Sequence, residues 1–382
     1  MTEKLYEIDP FLREFTAQVL SCEKTGDGWA VVLDRTAFYP EGGGQSADHG
    51  TLGAAAVTDV QERDGVVVHT CGQALPVGAR VAGAIDWARR FDHMQQHSGE
   101  HIVSGLICAR YHCDNVGFHM GHDLVTIDFN ADIDPAELPG LEAAANAYIW
   151  GDAPVEIRLL SGEELERAQF RSKKFIPGPV RLVAFPGADC CACCGTHVLR
   201  AGQVGLVKLL SCQKFRQGVR IEMVCGGRAV RYASAVLEQN TRISRALSVK
   251  PLETAGAVER LQEQLYDRNG RLKALEEKEC LRRAQELSGA GDVLLLEGEM
   301  YADSVRRLCD AVLDTCGGRC AVFAGENGSY QYAIGVRQGD IRPLVARLNA
   351  ALDGRGGGKP AFAQGRVRAG EPEIRSFFQT EA

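Results

Sequence analysis

The stretch His93-Met-Gln-Gln-His97-Ser-Gly-Glu-His101 contains three histidines at intervals of four residues. Residues four apart lie on the same face of an α-helix. The apolar residues around the histidines recur at helical spacing as well, namely Phe91, Met94, Ile102, Leu106 and Ile107. The stretch therefore predicts a helix on which neighbouring histidines could bind one metal ion.

A second group of metal-binding residues lies in Asp189-Cys190-Cys-Ala-Cys193-Cys194-Gly-Thr-His197. Four cysteines in five positions, with a histidine close behind, indicate zinc, because Zn²⁺ prefers four ligands of the thiolate and imidazole kind. Two donors from the helix and two from this loop would complete one site. Spacing alone also allows a cysteine-only site that pairs Cys190 with Cys193 and Cys191 with Cys194, or a redox-active thiol cluster.

The histidine stretch also permits an alternative interpretation. His97-Ser-Gly-Glu100-His101 matches H-x-x-E-H, the pattern of some zinc metallopeptidases. In such an enzyme Glu100 would be the general base, and a distant carboxylate would be the third metal ligand.

The first two regions of the chain differ in their pattern of apolar residues. Residues 1–88 alternate apolar and polar side chains over short runs at 28–33, 65–70 and 79–85, which predicts a small β-barrel. It includes Phe38-Tyr-Pro-Glu-Gly-Gly-Gly-Gln45, which is too rich in glycine for a strand. Residues 89–230 predict an α+β core, in which the helices and strands alternate. Beyond the histidine helix, we expect a helix at 135–150 and strands at 124–129, 155–160, 205–210 and 218–224.

The last two regions predict a helical linker and a compact C-terminal domain. Residues 231–288 carry leucines at heptad-like spacing, and Pro251 interrupts them, so two antiparallel helices are expected. Residues 289–382 predict an α/β domain with strands at 293–296 and 321–324, a helix at 302–313 between them, and a glycine-rich loop at 354–365.

The charge and the distribution of apolar residues argue against several classes of function. The chain has 382 residues, 14 cysteines and a formal net charge of −7, which argues against non-specific binding to polyanions. It contains no apolar stretch of membrane-spanning length, and its N-terminus lacks the features of a signal peptide. We therefore expect a cytoplasmic protein with reduced thiols and no membrane partner.

The C-terminal region departs from this acidic average. Between residues 331 and 370, seven basic residues outnumber two acidic ones. Glycines next to Lys359 expose backbone N–H groups, which favour anions. This segment is a candidate contact surface for the phosphate backbone of a nucleic acid.

Five motifs, in the same order along the chain, resemble the free-standing alanyl-tRNA editing proteins of the long AlaX type. Residues 38–45 resemble the glycine-rich motif of the family. His97-x-x-x-His101 and Cys193-Cys-Gly-Thr-His197 match its two zinc motifs. Gly218-Val-Arg-Ile-Glu222 is similar to the segment that closes the editing core. Residues 354–365 resemble the glycine-rich loop of the C-terminal domain associated with DHH proteins.

The resemblance implies an architecture, a cofactor and a reaction. The architecture is multidomain α+β, with a core of the threonyl/alanyl-tRNA synthetase second additional domain type. The cofactor is one zinc ion held by His97, His101, Cys193 and His197. The reaction is hydrolysis of the ester that links serine or glycine to tRNA(Ala). No aminoacylation domain is expected, and hence no use of ATP.

Further residue roles follow as expectations. Glu100 and His119 are candidates for the pocket wall that reads the serine hydroxyl, and Gln45 is expected where the barrel meets the editing core, closing the pocket. The C-terminal domain would contact tRNA through Gly356, Gly357, Gly358 and Lys359. Zinc either helps to activate water or acts structurally and electrostatically. A homodimer through the linker or the C-terminal domain is possible, and a non-catalytic, zinc-stabilised RNA-binding protein is the remaining alternative.

Overall fold

The computed structural model describes residues 1–26, 28–172 and 178–381. Its contacts divide the chain into two units, 1–242 and 243–382. The four regions predicted from sequence are a finer division and stay a prediction. In the described part of the chain, none of the helices combines the length and the apolar character needed to cross a membrane.

The N-terminal region is built almost entirely of strands. They are β1 (Glu3–Lys4), β2 (Glu14–Thr25), β3 (Gly28–Leu33), β4 (Arg35–Thr36), β5 (Gly50–Leu52), β6 (Ala55–Arg63), β7 (Val66–Cys71) and β8 (Arg80–Ile85), with one short helix, α1 (Leu5–Ile8). Six of them close into a barrel in the order β2-β3-β7-β6-β5-β8. Alternating valines and leucines, such as Val31 and Leu33, fill its interior. The strands predicted at 28–33, 65–70 and 79–85 are confirmed to within one residue at their ends.

The second region combines helices with two sheets. It comprises α2 (Trp87–Tyr111), β9 (Asn115–Met120), β10 (Val125–Phe129), α3 (Leu138–Trp150), β11 (Glu156–Leu160), α4 (Gly162–Arg167), β12 (Val180–Phe185), β13 (Asp189–Ala192), β14 (Val207–Phe215) and β15 (Gly218–Cys225). The sheet orders are β14-β15-β10-β9 and β11-β12-β13. The histidine helix, the helix at 135–150 and the strands predicted in this region are confirmed, with shifted ends.

Helix α2 contacts both sheets and carries the histidine stretch. It begins where Asp86 caps it, accepting a hydrogen bond from the backbone N–H of Arg89 at 3.2 Å. Its middle section buries polar residues that a surface helix would expose to water, among them His97, Glu100 and His101. Buried polar groups are stable only with hydrogen-bond partners. The middle section of α2 is therefore a candidate functional site.

A buried ion pair connects the barrel to α2. Arg90 and Asp48 are both fully buried, and the Arg90 Nε atom donates to Asp48 Oδ2 at 2.9 Å. The remaining guanidinium nitrogens donate to the backbone carbonyls of Pro10 at 2.9 Å and Ala37 at 2.6 Å. Asp48 also accepts from the backbone N–H of Tyr39 at 2.6 Å. These contacts hold the start of the glycine-rich motif against the helix that carries the histidines.

Two long helices follow, α5 (Gly226–Leu247) and α6 (Thr254–Glu286). The predicted break at Pro251 is confirmed, because a single 3₁₀ turn at Pro251–Glu253 separates them. The heptad-like leucines of α6, such as Leu261 and Leu275, are exposed. How α5 and α6 lie relative to each other stays a prediction.

The C-terminal region forms one five-stranded sheet with three helices. Its elements are β16 (Gly291–Glu297), α7 (Ala302–Cys316), β17 (Gly317–Glu326), β18 (Ser329–Gly335), α8 (Arg342–Ala351), β19 (Arg355–Lys359), β20 (Phe362–Val367) and α9 (Glu371–Thr380). The sheet order is β16-β17-β18-β20-β19, with β16 and β17 parallel and connected through α7. The predicted β-α-β unit is therefore confirmed. The predicted glycine-rich loop is instead a hairpin of β19 and β20, because its residues pair in regular antiparallel register.

Candidate metal centre and its cavity

Four metal-binding side chains converge in the first unit. His97 and His101 come from α2, and Cys193 and His197 come from the loop that follows β13. Their donor atoms all lie within 4.8 Å of one another, and Cys193 Sγ is 3.5 Å from His97 Nε2 and 3.4 Å from His197 Nε2. Three imidazoles and one thiolate make a donor set that suits tetrahedral Zn²⁺. The residues present therefore fit the metal that the resemblance implies.

Each histidine of this group has a separate partner at its other ring nitrogen. His97 Nδ1 donates to Gln45 Oε1 at 2.9 Å, and His101 Nδ1 donates to Asp189 Oδ2 at 2.8 Å. His197 Nδ1 lies 3.3 Å from Ser98 Oγ. Because the partners of His97 and His101 are acceptors, their Nδ1 atoms carry protons, which leaves Nε2 as the nitrogen that can bind a metal. A metal ligand needs this arrangement of the ring.

The electrostatics of the group favour metal binding. Burial alone would raise the pKa of the Cys193 thiol, but His97 and His197 outweigh it and hold that pKa well below its ordinary value. Burial, assisted by His97, lowers the pKa of His197 to about 3, so its imidazole stays neutral. A thiolate and a neutral imidazole are the forms that bind zinc.

Asp189 orients His101 and is itself held by an arginine. Its side chain is 2% exposed, and its two oxygens accept from Arg171 Nε at 2.7 Å and Arg171 Nη2 at 2.8 Å. Burial would lower the pKa of His101, but the hydrogen bond to Asp189 raises it well above its ordinary value. A carboxylate behind a ligating histidine makes that ligand more basic and fixes its ring. No sequence motif pointed to Asp189 or Arg171 in this role.

Gln45 lies behind the metal group. Its side chain is fully buried, its Nε2 donates to Thr196 Oγ1 at 2.8 Å, and its Oε1 accepts from Thr196 N at 3.3 Å as well as from His97. The backbone donor Thr196 N fixes which end of the amide is oxygen. Sequence predicts a residue that closes the pocket, but Gln45 is not among the described residues that line it. It supports His97 from outside the cavity.

A cavity of about 600 Å³ adjoins the metal group. Its volume is within the range of small-molecule sites. Glu100 is the single carboxylate among the described lining residues. They are Gly43, Gly44, His97, Glu100, His101, Asn115, Val116, Gly117, Phe118, Arg171, Ser172, Cys191, Ala192, Cys193 and Cys194.

The prediction that His119 lines the pocket is not supported by its placement. His119 is exposed and is not among the described lining residues, whereas its neighbour Phe118 lines the cavity and stacks on His97 at 5.1 Å between ring centroids. Successive side chains of a strand point to opposite faces. His119 pairs with Thr126 of β10, so it lies on the face opposite to Phe118 and the core.

The same strand brings Asn115 to the cavity through a β-bulge. Gly117 pairs with Asp128 and Asn115 pairs with Phe129, so Val116 is an extra residue. The bulge shifts the alternation by one position and puts Asn115 on the same face as Phe118. Asn115 Nδ2 donates to Glu100 Oε1 at 2.5 Å. A bulge is not visible in the residue pattern, which is why sequence reasoning missed Asn115.

The remaining histidine and cysteines of the two motifs lie outside the four-donor group. His93 is buried and its Nδ1 has no hydrogen-bond partner among the described residues. Cys191 lies near His101 and Asp189, whereas Cys190 and Cys194 belong to no metal-binding group within the described residues. These positions do not favour a cysteine-only site. They also disfavour the metallopeptidase interpretation, because Cys193 and His197 stand where it requires a distant carboxylate.

The predicted nucleic-acid contact lies in the second unit. Gly356, Gly357, Gly358 and Lys359 form most of the exposed edge strand β19. Four of the seven basic residues at 331–370 are near acidic partners, namely Arg337, Arg342, Arg347 and Arg368. Arg355, Lys359 and Arg366 have no ion-pair partner among the described residues, and all three lie on the hairpin of β19 and β20.

Two family models match the chain. The model described as Threonyl and Alanyl tRNA synthetase second additional domain matches residues 180–222, which include Cys193 and His197. The model described as tRNA synthetases class II (A) matches residues 10–89, most of the barrel region. Fold, site and family models thus define a protein that is related to class II tRNA synthetases and contains the threonyl and alanyl tRNA synthetase second additional domain.

Relatives that match over nearly the whole chain identify the family more specifically than the two family models do. The chain is 30% identical to the alanyl-tRNA editing protein AlaX-L of Pyrococcus horikoshii, over 98% of this chain and 96% of that protein. It is 28% identical to the alanyl-tRNA editing protein Aarsd1 of Danio rerio, over 94% and 93% of the two chains. It also matches an alanine–tRNA ligase of Halorubrum lacusprofundi at 34% identity, over 95% of this chain but 42% of the ligase. The chain belongs to the alanyl-tRNA editing protein family.

Proposed function

We propose that this protein is an aminoacyl-tRNA deacylase that acts in trans on tRNA(Ala) mischarged with serine and, in addition, with glycine. The observation that carries the proposal is the group of His97, His101, Cys193 and His197, whose donor atoms converge at the wall of a cavity of about 600 Å³. Membership of the alanyl-tRNA editing family supports it, since the relatives that match over nearly their whole length bear that name.

Physical limits on selectivity explain why such an enzyme would be needed. A site built for alanine cannot exclude the smaller glycine by size, and an apolar pocket rejects an added hydroxyl only about 100-fold. A second, hydrolytic site then removes the wrong amino acid after it has been attached. Serine and glycine are the two errors that this argument predicts for alanine.

The four side chains would hold one zinc ion, which supplies a fixed positive charge beside the ester when it is bound. Four protein ligands leave no coordination position for water, so we assign the metal a positioning and electrostatic role. The chain's own residues maintain that arrangement. Gln45, Asp189 and Ser98 hold the three imidazole rings at Nδ1, and they keep the Nε2 atoms directed toward Cys193.

The hairpin of β19 and β20 is the proposed contact for the tRNA backbone. Arg355 and Arg366 lie directly opposite each other on the two strands, and like charges in that position repel. Both also line a cavity of about 540 Å³ together with Arg368. Phosphate groups would neutralise these charges, which supports Lys359 and its neighbours as the contact predicted from sequence.

Deacylation of Ser-tRNA(Ala) and Gly-tRNA(Ala) by the purified protein tests the proposal. The wild-type protein should contain one zinc ion per chain, hydrolyse both esters and spare Ala-tRNA(Ala). His101→Ala should lose zinc and at least about 100-fold in kcat/KM, because it removes a metal ligand. His122→Ala is the matched control, since His122 is 94% exposed and lies outside the group. Serine that stays esterified at concentrations that bind tRNA would disprove the deacylase and favour the non-catalytic RNA-binding alternative.

A further inference from the structure

Glu100 has an environment that goes beyond what a metal site requires. It lies on α2 between His97 and His101, and the residue is 4% exposed at the cavity wall. Its Oε1 atom accepts from Ser104 Oγ at 2.7 Å and from Asn115 Nδ2 at 2.5 Å. Among the described residues, nothing donates a hydrogen bond to Oε2. Within the described part of the chain, one oxygen of the carboxylate thus has two donors and the other has none.

Asn115 adds a second acceptor to this part of the wall. Its Nδ2 donates to Ser104 Oγ at 2.8 Å as well as to Glu100, and a carboxylate neighbour requires the amide nitrogen on that side. The assignment of the amide is therefore fixed. Its Oδ1 is buried and has no hydrogen-bond partner among the described residues. A buried acceptor without a donor is costly, which indicates a ligand that brings donors.

The ligand that fits two acceptors, one of them anionic, is a small cation with several N–H donors. Two basic side chains of the described lining, Arg171 and His101, direct their hydrogen bonds to the carboxylate of Asp189. Both groups pair with Asp189, and neither forms an ion pair with Glu100. A buried carboxylate without a direct ion-pair partner favours a cationic ligand that can donate to its Oε2 atom.

An aminoacyl ester carries such a cation. Its α-ammonium group is attached to the carbon next to the ester carbonyl, two bonds from the atom that water attacks. Glu100 precedes His101 by one residue and follows His97 by three, so it lies within one helical turn of the metal group. If Glu100 binds the ammonium group, the ester carbonyl lies beside the four metal-binding side chains.

We propose that Glu100, positioned by Ser104 and Asn115, binds the α-ammonium group of the aminoacyl ester. The site then selects esters with a free amino group and spares N-acylated esters, of which peptidyl-tRNA is the cellular example. The proposal rests on the proposed deacylase function and specifies how its site recognises the substrate.

Seryl-tRNA(Ala) and N-acetylseryl-tRNA(Ala) distinguish this role from that of a general base. Acetylation removes the charge of the ammonium group and leaves the ester unchanged. A hydrogen bond between charged groups corresponds to about 10- to 100-fold in kcat/KM, and we expect the wild-type protein to prefer the free amine by that factor. In Glu100→Gln the preference should fall towards one, mainly through the loss on seryl-tRNA(Ala). If both substrates slow down by the same factor, Glu100 is a base and the ammonium site is wrong.

Glu222→Gln is the matched control for this substitution. Glu222 accepts from Ser211 Oγ at the same 2.7 Å that separates Ser104 from Glu100, but it is not among the described cavity-lining residues. Its variant should keep the full preference for the free amine. Ser104→Ala should show an intermediate loss, because Glu100 Oε1 keeps its hydrogen bond from Asn115.

A binding measurement separates this inference from the deacylase function itself. The probes are 3′-seryl-amino-3′-deoxyadenosine, whose amide resists hydrolysis, and its N-acetyl derivative, titrated calorimetrically into the full-length protein. The wild-type protein should bind the free amine about 10- to 100-fold more tightly, and Glu100→Gln with unchanged zinc content should not. If the preference is seen without any deacylation, the function is wrong and the site is right. Equal or undetectable binding of both probes, with normal deacylation, overturns the site alone.

Discussion

The chain contains two glycine-rich segments that look alike in sequence and differ in structure. In the first, Gly42–Gly44, the backbone makes a tight turn in which Gly43 has φ = +59° and Gly44 has φ = +85°. Two backbone hydrogen bonds between Gly42 and Gln45 close this turn, at 3.0 and 2.9 Å. In the second, Gly356–Gly358, the glycines belong to the regular strand β19 and none has a positive φ.

The difference shows that glycine serves two physical needs here. In the first segment it permits backbone angles that other residues rarely adopt, and the turn delivers a fully buried Gln45 to His97. In the second it permits close approach, since a Cβ on Gly356 or Gly358 would collide with the neighbouring strand β20, whereas one on Gly357 would meet nothing within 4 Å. Substitutions to alanine should therefore have different effects in the two segments.

Gly44→Ala should have the largest effect on stability. The left-handed conformation costs a non-glycine residue about 1–2 kcal/mol, and the new Cβ would lie 2.6 Å from the ring of Phe118, which adds about 1–3 kcal/mol of overpacking. We expect the free energy of unfolding to fall by about 2–5 kcal/mol in total. Thermal or urea unfolding measures it.

Gly53→Ala is the control for Gly44→Ala. Gly53 also has a positive φ, of +57°, but a Cβ there would meet nothing within 4 Å. Its cost should be the conformational part alone, about 1–2 kcal/mol. Equal losses in the two variants would show that contact with Phe118 contributes nothing.

Gln45→Ala should have a smaller effect on folding and a clear effect on the metal site. It removes the acceptor of His97 Nδ1 and leaves Thr196 N without its side-chain partner. Loss of such a supporting group typically lowers metal affinity or activity about 10- to 100-fold. Zinc affinity, measured by competition with a chelator, tests this. Gln61→Ala, which alters a glutamine of β6 that contacts Glu41 and Asp59, should leave zinc affinity unchanged.

The sequence carried the information for the metal group but not for the surroundings of that group. Helical spacing and ligand chemistry were enough to bring together His97 and His101 with the cysteine loop, and the family resemblance selected Cys193 over its neighbours. Asp189, Arg171 and Asn115 could not be found in the same way, because hydrogen bonds between distant residues leave no local pattern. His119 was misplaced because strand alternation cannot be assigned without knowing the register.

The fold was predictable to a similar degree. Alternation and helical periodicity located β3 and α7, since these elements bury one face each, whereas the spacing of the histidines located α2, whose middle section is buried on all sides. Sequence predicts a loop where the hairpin of β19 and β20 lies, because consecutive glycines carry no side-chain alternation. Their pairing depends on close contact with the backbone of β20, a tertiary feature that composition does not reveal.

Gly357→Ala should have a smaller effect on the free energy of unfolding than Gly44→Ala or Gln45→Ala. With open space at its Cβ position and no positive φ, alanine should change the free energy of unfolding by less than about 1 kcal/mol, with a tendency to stabilise through the loss of backbone freedom in the unfolded chain. Gly356→Ala, one residue earlier, should cost about 1–3 kcal/mol, because its Cβ would collide with the carbonyl of Gln364 and the hydroxyl of Tyr332. If the basic side chains of this hairpin bind the tRNA, Gly357→Ala should have the same tRNA affinity as the wild-type protein. A marked loss of affinity in a stably folded Gly357→Ala would mean instead that the tRNA backbone packs directly against the strand at this glycine.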